Sequence, residues 1–172
     1  MDWFLEQARL GNMFRAANQA AQLVTLINTS TATGLILSNP YGSGKKLVIY
    51  DVGFQYTTVP AAAAILWWCQ SIAVHTTAVI HTAALGVYRA DGSGVAGNSK
   101  GKADSSSTTP NLPVYSRILG YSPTTPATAG ALAFTDKVMG AMILVPGTFA
   151  QISYITTAPT GMASVTWVEV DE

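Results

Sequence analysis

The chain has 172 residues and carries no net charge at neutral pH. Charged residues make up only 10% of the sequence, against about 25% in ordinary soluble domains. So little charge leaves no basic face for a nucleic-acid backbone, which argues against a nucleic-acid partner. It also removes the repulsion that keeps freely diffusing proteins apart, which favours a protein built into an assembly.

The length predicts one domain that needs no disulfide. A folded chain of this mass exposes roughly 8,000 Å² where the unfolded chain exposes roughly 26,000 Å². The single cysteine, Cys69, lies in an apolar run without a neighbouring base or cation, so we expect a buried, unreactive thiol. No stretch reaches the ~18 consecutive apolar residues of a membrane span, and the N-terminus lacks the pattern of a signal peptide. We therefore expect synthesis in a cytoplasm, without secretion and without a membrane partner.

Residues 1–22 differ from the rest of the chain. Their apolar residues fall mostly at helical spacing, and Gly11-Asn12 interrupts the segment. The pattern predicts an N-terminal helical arm, which either packs on its own subunit or reaches a neighbouring one. In the second case the large apolar side chains bind the partner, with the aromatic ones as anchors. These candidate partner-binding residues are Trp3, Phe4, Leu10, Met13 and Phe14.

Strand signals begin at Leu23, so residues 23–172 are predicted to form a β-sandwich domain. The clearest stretch, Leu35–Tyr56, reads as strand, tight loop and strand, because Asn39-Pro40 cannot continue a paired strand and two glycines follow. The second strand alternates, and one set of alternate residues is expected to face a core. That set is Val48, Tyr50, Val52, Phe54 and Tyr56.

The whole pattern predicts an all-β protein with eight or nine short strands. No strand–helix alternation occurs, so an antiparallel two-sheet sandwich is favoured, jelly-roll-like before immunoglobulin-like. Residues 29–34 are predicted as a turn, and two Gly/Ser/Pro-rich breaks, 91–110 and 121–130, as exposed loops. The other predicted strands are 65–73, 74–81, 85–88, 113–119, 137–144, 148–156 and 163–170.

No stretch carries a catalytic or metal-binding signature. The loop Gly42–Lys46 departs from the spacing of a phosphate-binding loop and precedes a strand, so a plain turn is predicted. His75 and His81 match no zinc spacing and are expected at the surface or an interface, with pH sensing as the functional alternative. The carboxylates are scattered, and only Asp51 and Asp136 fall on predicted strands or strand starts. We therefore expect no enzyme, no metal and no cofactor.

The adjacent pair Trp67-Trp68 is the one candidate carbohydrate platform. Neighbouring residues on a strand point to opposite faces, so one ring is expected in the core and the other exposed or at an interface. Core packing with a subunit contact is the plainer interpretation, and carbohydrate binding is the alternative.

Three stretches of the sequence resemble a known group of proteins: 35–52 with its Asn-Pro and Gly-Ser-Gly-Lys-Lys elements, Val145-Pro-Gly-Thr, and Trp167-Val-Glu-Val. Over about 23–172 the chain resembles jelly-roll decoration (cement) proteins and related minor capsid proteins of tailed bacteriophages. The resemblance implies a structural virion protein, a homotrimer on the capsid surface that bridges major capsid protein subunits. The N-terminal arm would then bind the shell or clasp the trimer.

Two other functions stay open at this stage. One is a carbohydrate- or receptor-binding or adaptor module of a phage tail or spike. The other is an enzyme with a sandwich fold, which would need His75, His81 and a carboxylate in one pocket.

Overall fold

The computed structural model describes residues 2–58, 62–122 and 133–172. It confirms the all-β prediction, because two antiparallel sheets pack as a sandwich and one short helix precedes them. The elements are α1 (Trp3–Arg9), β1 (Met13–Ala17), β2 (Gln22–Leu23), β3 (Thr31–Asn39), β4 (Lys45–Thr58), β5 (Ala64–Gln70), β6 (Ile80–Ala84), β7 (Tyr88–Arg89), β8 (Lys102–Thr108), β9 (Val114–Ser122), β10 (Ala133–Lys137), β11 (Ile143–Leu144), β12 (Thr148–Ile155) and β13 (Thr160–Asp171).

The two sheets differ in how their strands are ordered. Sheet A runs β10-β4-β13-β1-β7, with β11 paired to β4 and β2 paired to β13. Sheet B runs β6-β8-β3-β12-β5-β9. In the described part of the chain β9 and β10 are end strands of their sheets, and they lie at the same side of the sandwich. There Arg117 of β9 donates two hydrogen bonds to Asp136 of β10, at 2.7 and 2.9 Å, and joins the two sheets.

The core fills the space between the sheets with apolar side chains from both. Trp68 and Trp167 are its largest fully buried side chains, while Trp67 is half-buried on the outer side of sheet B. The split predicted for the two adjacent tryptophans is therefore confirmed. Cys69 is also buried, as expected, and burial raises the pKa of its thiol to about 12.

The N-terminal helix is shorter than the predicted arm. It ends at Arg9, and Gly11 takes a left-handed conformation (φ 74°) that L side chains disfavour, so the chain turns there. Residues 13–17, predicted as helical, instead form β1, which pairs with β13 on one side and β7 on the other. Pairing on both sides overrides the local helical spacing. No helix in the described ranges is long and apolar enough to cross a bilayer.

A bulge changes which side chains of β4 face the core. Thr166 of β13 pairs with Asp51 and Trp167 pairs with Ile49, so Tyr50 is an extra residue on β4. A one-residue slip exchanges the two faces of a strand. The core therefore receives Val52, Phe54 and Tyr56 as predicted, but Leu47 and Ile49 in place of Val48 and Tyr50.

Some predicted loops are strands. Residues 102–108 belong to the predicted loop 91–110 yet form β8, which lies between β3 and β6 and is mostly buried. The small Ser and Ala side chains of β8 fit a crowded position between two strands, although their low strand propensity predicts a loop. Residues 31–34 likewise belong to β3, whereas 71–79, predicted as β, link β5 to β6 without a strand. The predicted loop 121–130 falls mainly outside the described residues.

Candidate interaction surfaces

The outer face of sheet B carries a group of exposed apolar side chains at the β9 side. Two register shifts between β5 and β9 leave Ser116 and Leu119 as extra residues on β9. As a result three apolar residues of β9, spaced three apart, stand opposite outward-facing residues of β5. These pairs are Tyr115 with Cys69, Ile118 with Trp67, and Tyr121 with Ile65.

We call Ile65, Trp67, Tyr115, Ile118 and Tyr121 the β9 patch. Ile118 is 59% and Tyr121 is 52% exposed, and the rings of Trp67 and Tyr115 lie 5.2 Å apart. The only charged side chain of β9 is Arg117, which points the other way, to Asp136. The patch is therefore apolar and uncharged, as the centre of a protein interface is.

Among the described residues no strand lies beyond β9, so this surface adjoins an end of sheet B. An end strand with an apolar surface is a ready site for association with another chain. Its two bulges, however, interrupt the regular row of backbone groups that an added strand would need. A partner is thus expected to bind the side chains of the β9 patch and not to extend sheet B.

The N-terminal helix forms a second apolar surface, on the outer side of sheet A. The Asp2 side chain accepts a hydrogen bond from Phe4 N at 3.0 Å and caps the helix. The bulge turns Tyr50 outward, and the ring of Phe4 packs on it at 4.7 Å. This contact holds the helix on the sheet and leaves Trp3, Leu5 and Leu10 exposed. We call these three residues the α1 patch.

The five predicted partner-binding residues thus separate into three groups. Trp3 and Leu10 are exposed, and Phe4 fixes the helix to Tyr50. Met13 and Phe14 are buried strand residues, and the Phe14 ring lies 6.1 Å from that of Trp167. Those two have too little accessible surface to bind a partner, so their assignment to the arm was wrong. The reason is the same pairing of β1 that shortens the helix.

Of the two histidines, only His81 has a carboxylate partner among the described residues. His81 Nδ1 is hydrogen-bonded to Asp104 Oδ2, and Asp104 is fully buried on β8. His75 lies in the link 71–79, where its backbone N–H donates to Gly147 O at 2.9 Å. Over residues 2–58, 62–122 and 133–172, no group of three His, Cys, Asp or Glu side chains is placed to hold a metal ion.

A second buried carboxylate, Glu169, is held by several donors. Its Oε1 accepts from Ser99 Oγ at 2.7 Å, Gly101 N at 2.9 Å and Trp167 Nε1 at 3.2 Å. Lys100 N lies 3.0 Å from both carboxylate oxygens. These bonds fix the end of the 90–101 loop to β13.

The two carboxylates predicted on strands are both paired. Asp51 accepts from Lys137 Nζ at 2.9 Å, and this contact raises the pKa of Lys137. The same ammonium group lies 4.9 Å from the centre of the Tyr50 ring. Asp136 holds Arg117, as described above.

Comparisons with protein-family models, with curated proteins and with solved structures found no match to this chain. The geometry of the two apolar patches is therefore the main evidence on function. Sequence reasoning found the α1 patch in part, from its aromatic residues. It predicted that one of Trp67 and Trp68 is exposed or at an interface, but it missed the other residues of the β9 patch. Their signal was the three-residue spacing of large apolar side chains between 115 and 121.

Proposed function

We propose that this chain is a structural virion protein, a decoration (cement) protein that binds the outside of a tailed-phage capsid and bridges major capsid protein subunits. The observation that carries the proposal is the presence of two apolar patches on opposite faces of one sandwich. A bridging protein needs two separate binding surfaces, whereas an enzyme or a monomeric receptor module needs one. The sequence resemblance and the low charge support the same conclusion.

The two patches suit two different contacts. The β9 patch is largely aromatic and lies on a sheet, and it fits self-association into the trimer that the resemblance implies. The α1 patch projects from the opposite face and fits the shell. Burial of one large apolar side chain contributes about 1.5–3 kcal/mol, so three such residues per patch suffice to anchor a contact that many copies repeat.

The mechanism would be mechanical. Each bound copy adds buried area across a joint between shell subunits, and this area must be exposed before the joint opens. The barrier to opening then rises with every copy bound. A specific stable interface of this kind buries on the order of 1,200 Å² or more in total.

The first experiment is to count this protein in purified virions by quantitative mass spectrometry against the major shell protein. A ratio near that of the shell protein is expected for a cementing role. A few copies per particle would place it at a tail, spike or vertex, and absence from the particle would contradict the proposal.

A second experiment separates the two patches. Ile118→Lys places a charge at the centre of the β9 patch and is expected to convert the oligomer to a monomer in light scattering coupled to size exclusion. Leu23→Lys is the matched control, since Leu23 is similarly exposed on β2 but lies outside both patches. An unchanged oligomer in the Ile118 variant, or a wild-type protein that is already monomeric, would refute the assignment of this patch.

A third experiment removes residues 2–10 and tests attachment to capsids. The truncation must end before Met13, because β1 pairs with strands on both sides and its loss would disrupt sheet A. The truncated protein is expected to stay folded and to lose attachment. Normal attachment would show that the α1 patch is not the shell contact.

A further inference from the structure

The outer face of sheet A contains a polar groove that neither apolar patch includes. Its volume is about 560 Å³, and it lies over β1, β13 and the neighbouring strands. A second hollow of about 330 Å³ continues it over Gly53, since both are lined by Ala17 and Ser164. These volumes lie in the range of sites that bind small ligands.

The register of four strands explains the shape of the groove. Tyr88 pairs with Arg15, Arg15 with Thr166, and Thr166 with Asp51, so these side chains form one row across β7, β1, β13 and β4. With neighbouring strands about 4.8 Å apart, the row spans about 14 Å. The next outward row is Ala17, Ser164 and Gly53, and its small side chains make the floor of the hollow.

The unpaired charge among the residues that line the groove is that of Arg15. Arg15 is exposed and has no carboxylate within ion-pair distance in the described part of the chain. Asp51, at the other end of the row, is already neutralised by Lys137. A guanidinium group binds a carboxylate through two parallel hydrogen bonds, so Arg15 is suited to an acidic group on a ligand.

The other walls offer one aromatic ring and several hydroxyl groups. Tyr88 is 40% exposed, and its ring lies against Gly86, where an added Cβ would come within 2.8 Å of the tyrosine hydroxyl. The missing side chain of Gly86 therefore leaves the space that this ring occupies. Ser164 and Thr166 add hydroxyl groups along the same surface. This combination of one cation, one aromatic ring and several hydroxyl groups fits a sugar better than an apolar ligand or a polyanion. The tyrosine ring would stack on the C–H face of the sugar.

We propose that this groove binds an acidic oligosaccharide, with Arg15 on its carboxylate and Tyr88 against one sugar ring. The groove lies apart from the β9 patch, and binding would need neither a capsid nor the proposed cementing role. Failure of the capsid experiments would therefore not contradict sugar binding, and failure of the sugar experiments would not contradict the cementing role.

The test is direct binding of the full chain to defined sugars. Isothermal titration would compare sialyllactose and tri-galacturonic acid with their neutral counterparts, lactose and α-1,4-linked galactotriose. We expect at least tenfold tighter binding of one acidic sugar, weakened by added salt. No binding of either acidic sugar, or equal binding of the neutral ones, would overturn the proposal.

Variants then locate the site. Arg15→Ala and Tyr88→Ala are each expected to weaken binding at least tenfold. Lys102→Ala and Tyr41→Ala are matched controls, because both residues are exposed and belong to β8 and the β3–β4 turn. Ser164→Gln, which fills the floor without removing a charge, should also weaken binding. Wild-type affinity in the Arg15 and Ser164 variants, with unchanged melting temperatures, would place any sugar site elsewhere.

Discussion

Two carboxylates are buried in this sandwich, and they are satisfied very differently. Glu169 receives hydrogen bonds from four donor groups, two of them backbone N–H groups of the 90–101 loop. Asp104 has His81 on one oxygen, and its Oδ1 has no hydrogen-bond partner among the described residues. A buried charge is stable only in proportion to the groups that replace its water. Glu169 therefore holds several neighbouring groups in place through its hydrogen bonds, whereas Asp104 holds only His81.

The largest expected effect is that of Glu169→Gln, at about 3 kcal/mol of lost unfolding free energy. The amide oxygen can take the place of Oε1, so the loss comes from the negative charge on which four donors converge and from the N–H₂ group that then faces Lys100 N. Urea unfolding followed by tryptophan fluorescence measures it. Asp171→Asn is the control, since Asp171 pairs with Lys45 at the exposed end of the same strand. That pair is worth less than about 1 kcal/mol.

The next effect is expected from Gly101→Ala, at about 2 kcal/mol. An added Cβ would lie 2.9 Å from Trp167 Nε1 and 3.1 Å from Leu47 Cδ1, and both side chains are fully buried. The loop must then move away from Glu169 and loosen its hydrogen bonds. Gly97→Ala, in the same loop but with nothing within 4 Å of an added Cβ, is the matched control. Equal stability of the two variants would mean that the loop is not held closely.

A smaller effect, within about 1 kcal/mol, is expected from Asp104→Asn. The change keeps the shape and the contact with His81, and it removes a buried charge that lacks a partner on one side. The same urea experiment measures it. A loss as large as that of Glu169→Gln would break the comparison, because it would show that Asp104 is as well stabilised as Glu169.

A third buried acid is the thiol of Cys69, and its ionisation is expected to leave the folding stability unchanged at neutral pH. Burial raises its pKa from 9.0 to about 12, so the folded state keeps the thiol protonated. The unfolded chain ionises first, so stability from this group is complete below pH 9 and declines as the pH rises from 9 to 12. Burial acts in the same direction on Tyr56. Thermal melts at pH 8, 10 and 11 test this, and Cys69→Ala should make the decline shallower.

The candidate surfaces were only partly predictable from sequence. The aromatic residues of the N-terminus indicated a binding element, and Trp3 and Leu10 are indeed exposed. Apart from one outward-facing ring of the pair Trp67-Trp68, the β9 patch and the polar groove were missed, because each combines residues from several strands. Alternation within a strand also fails at bulges, and both surfaces depend on bulged strands, β9 and β4.

The sequence by itself determined the β class, the turn at Asn39-Pro40, the burial of Cys69 and the split of Trp67 and Trp68 between the core and the outer face. These features depend on local rules, namely the missing N–H of proline, the freedom of glycine and the apolar character of a run. Only the tertiary structure decided that Met13–Ala17 and Lys102–Thr108 are strands and that Leu47 and Ile49 face the core. Strand pairing joins residues far apart in the chain, and its register, not local propensity, decides which face each side chain takes.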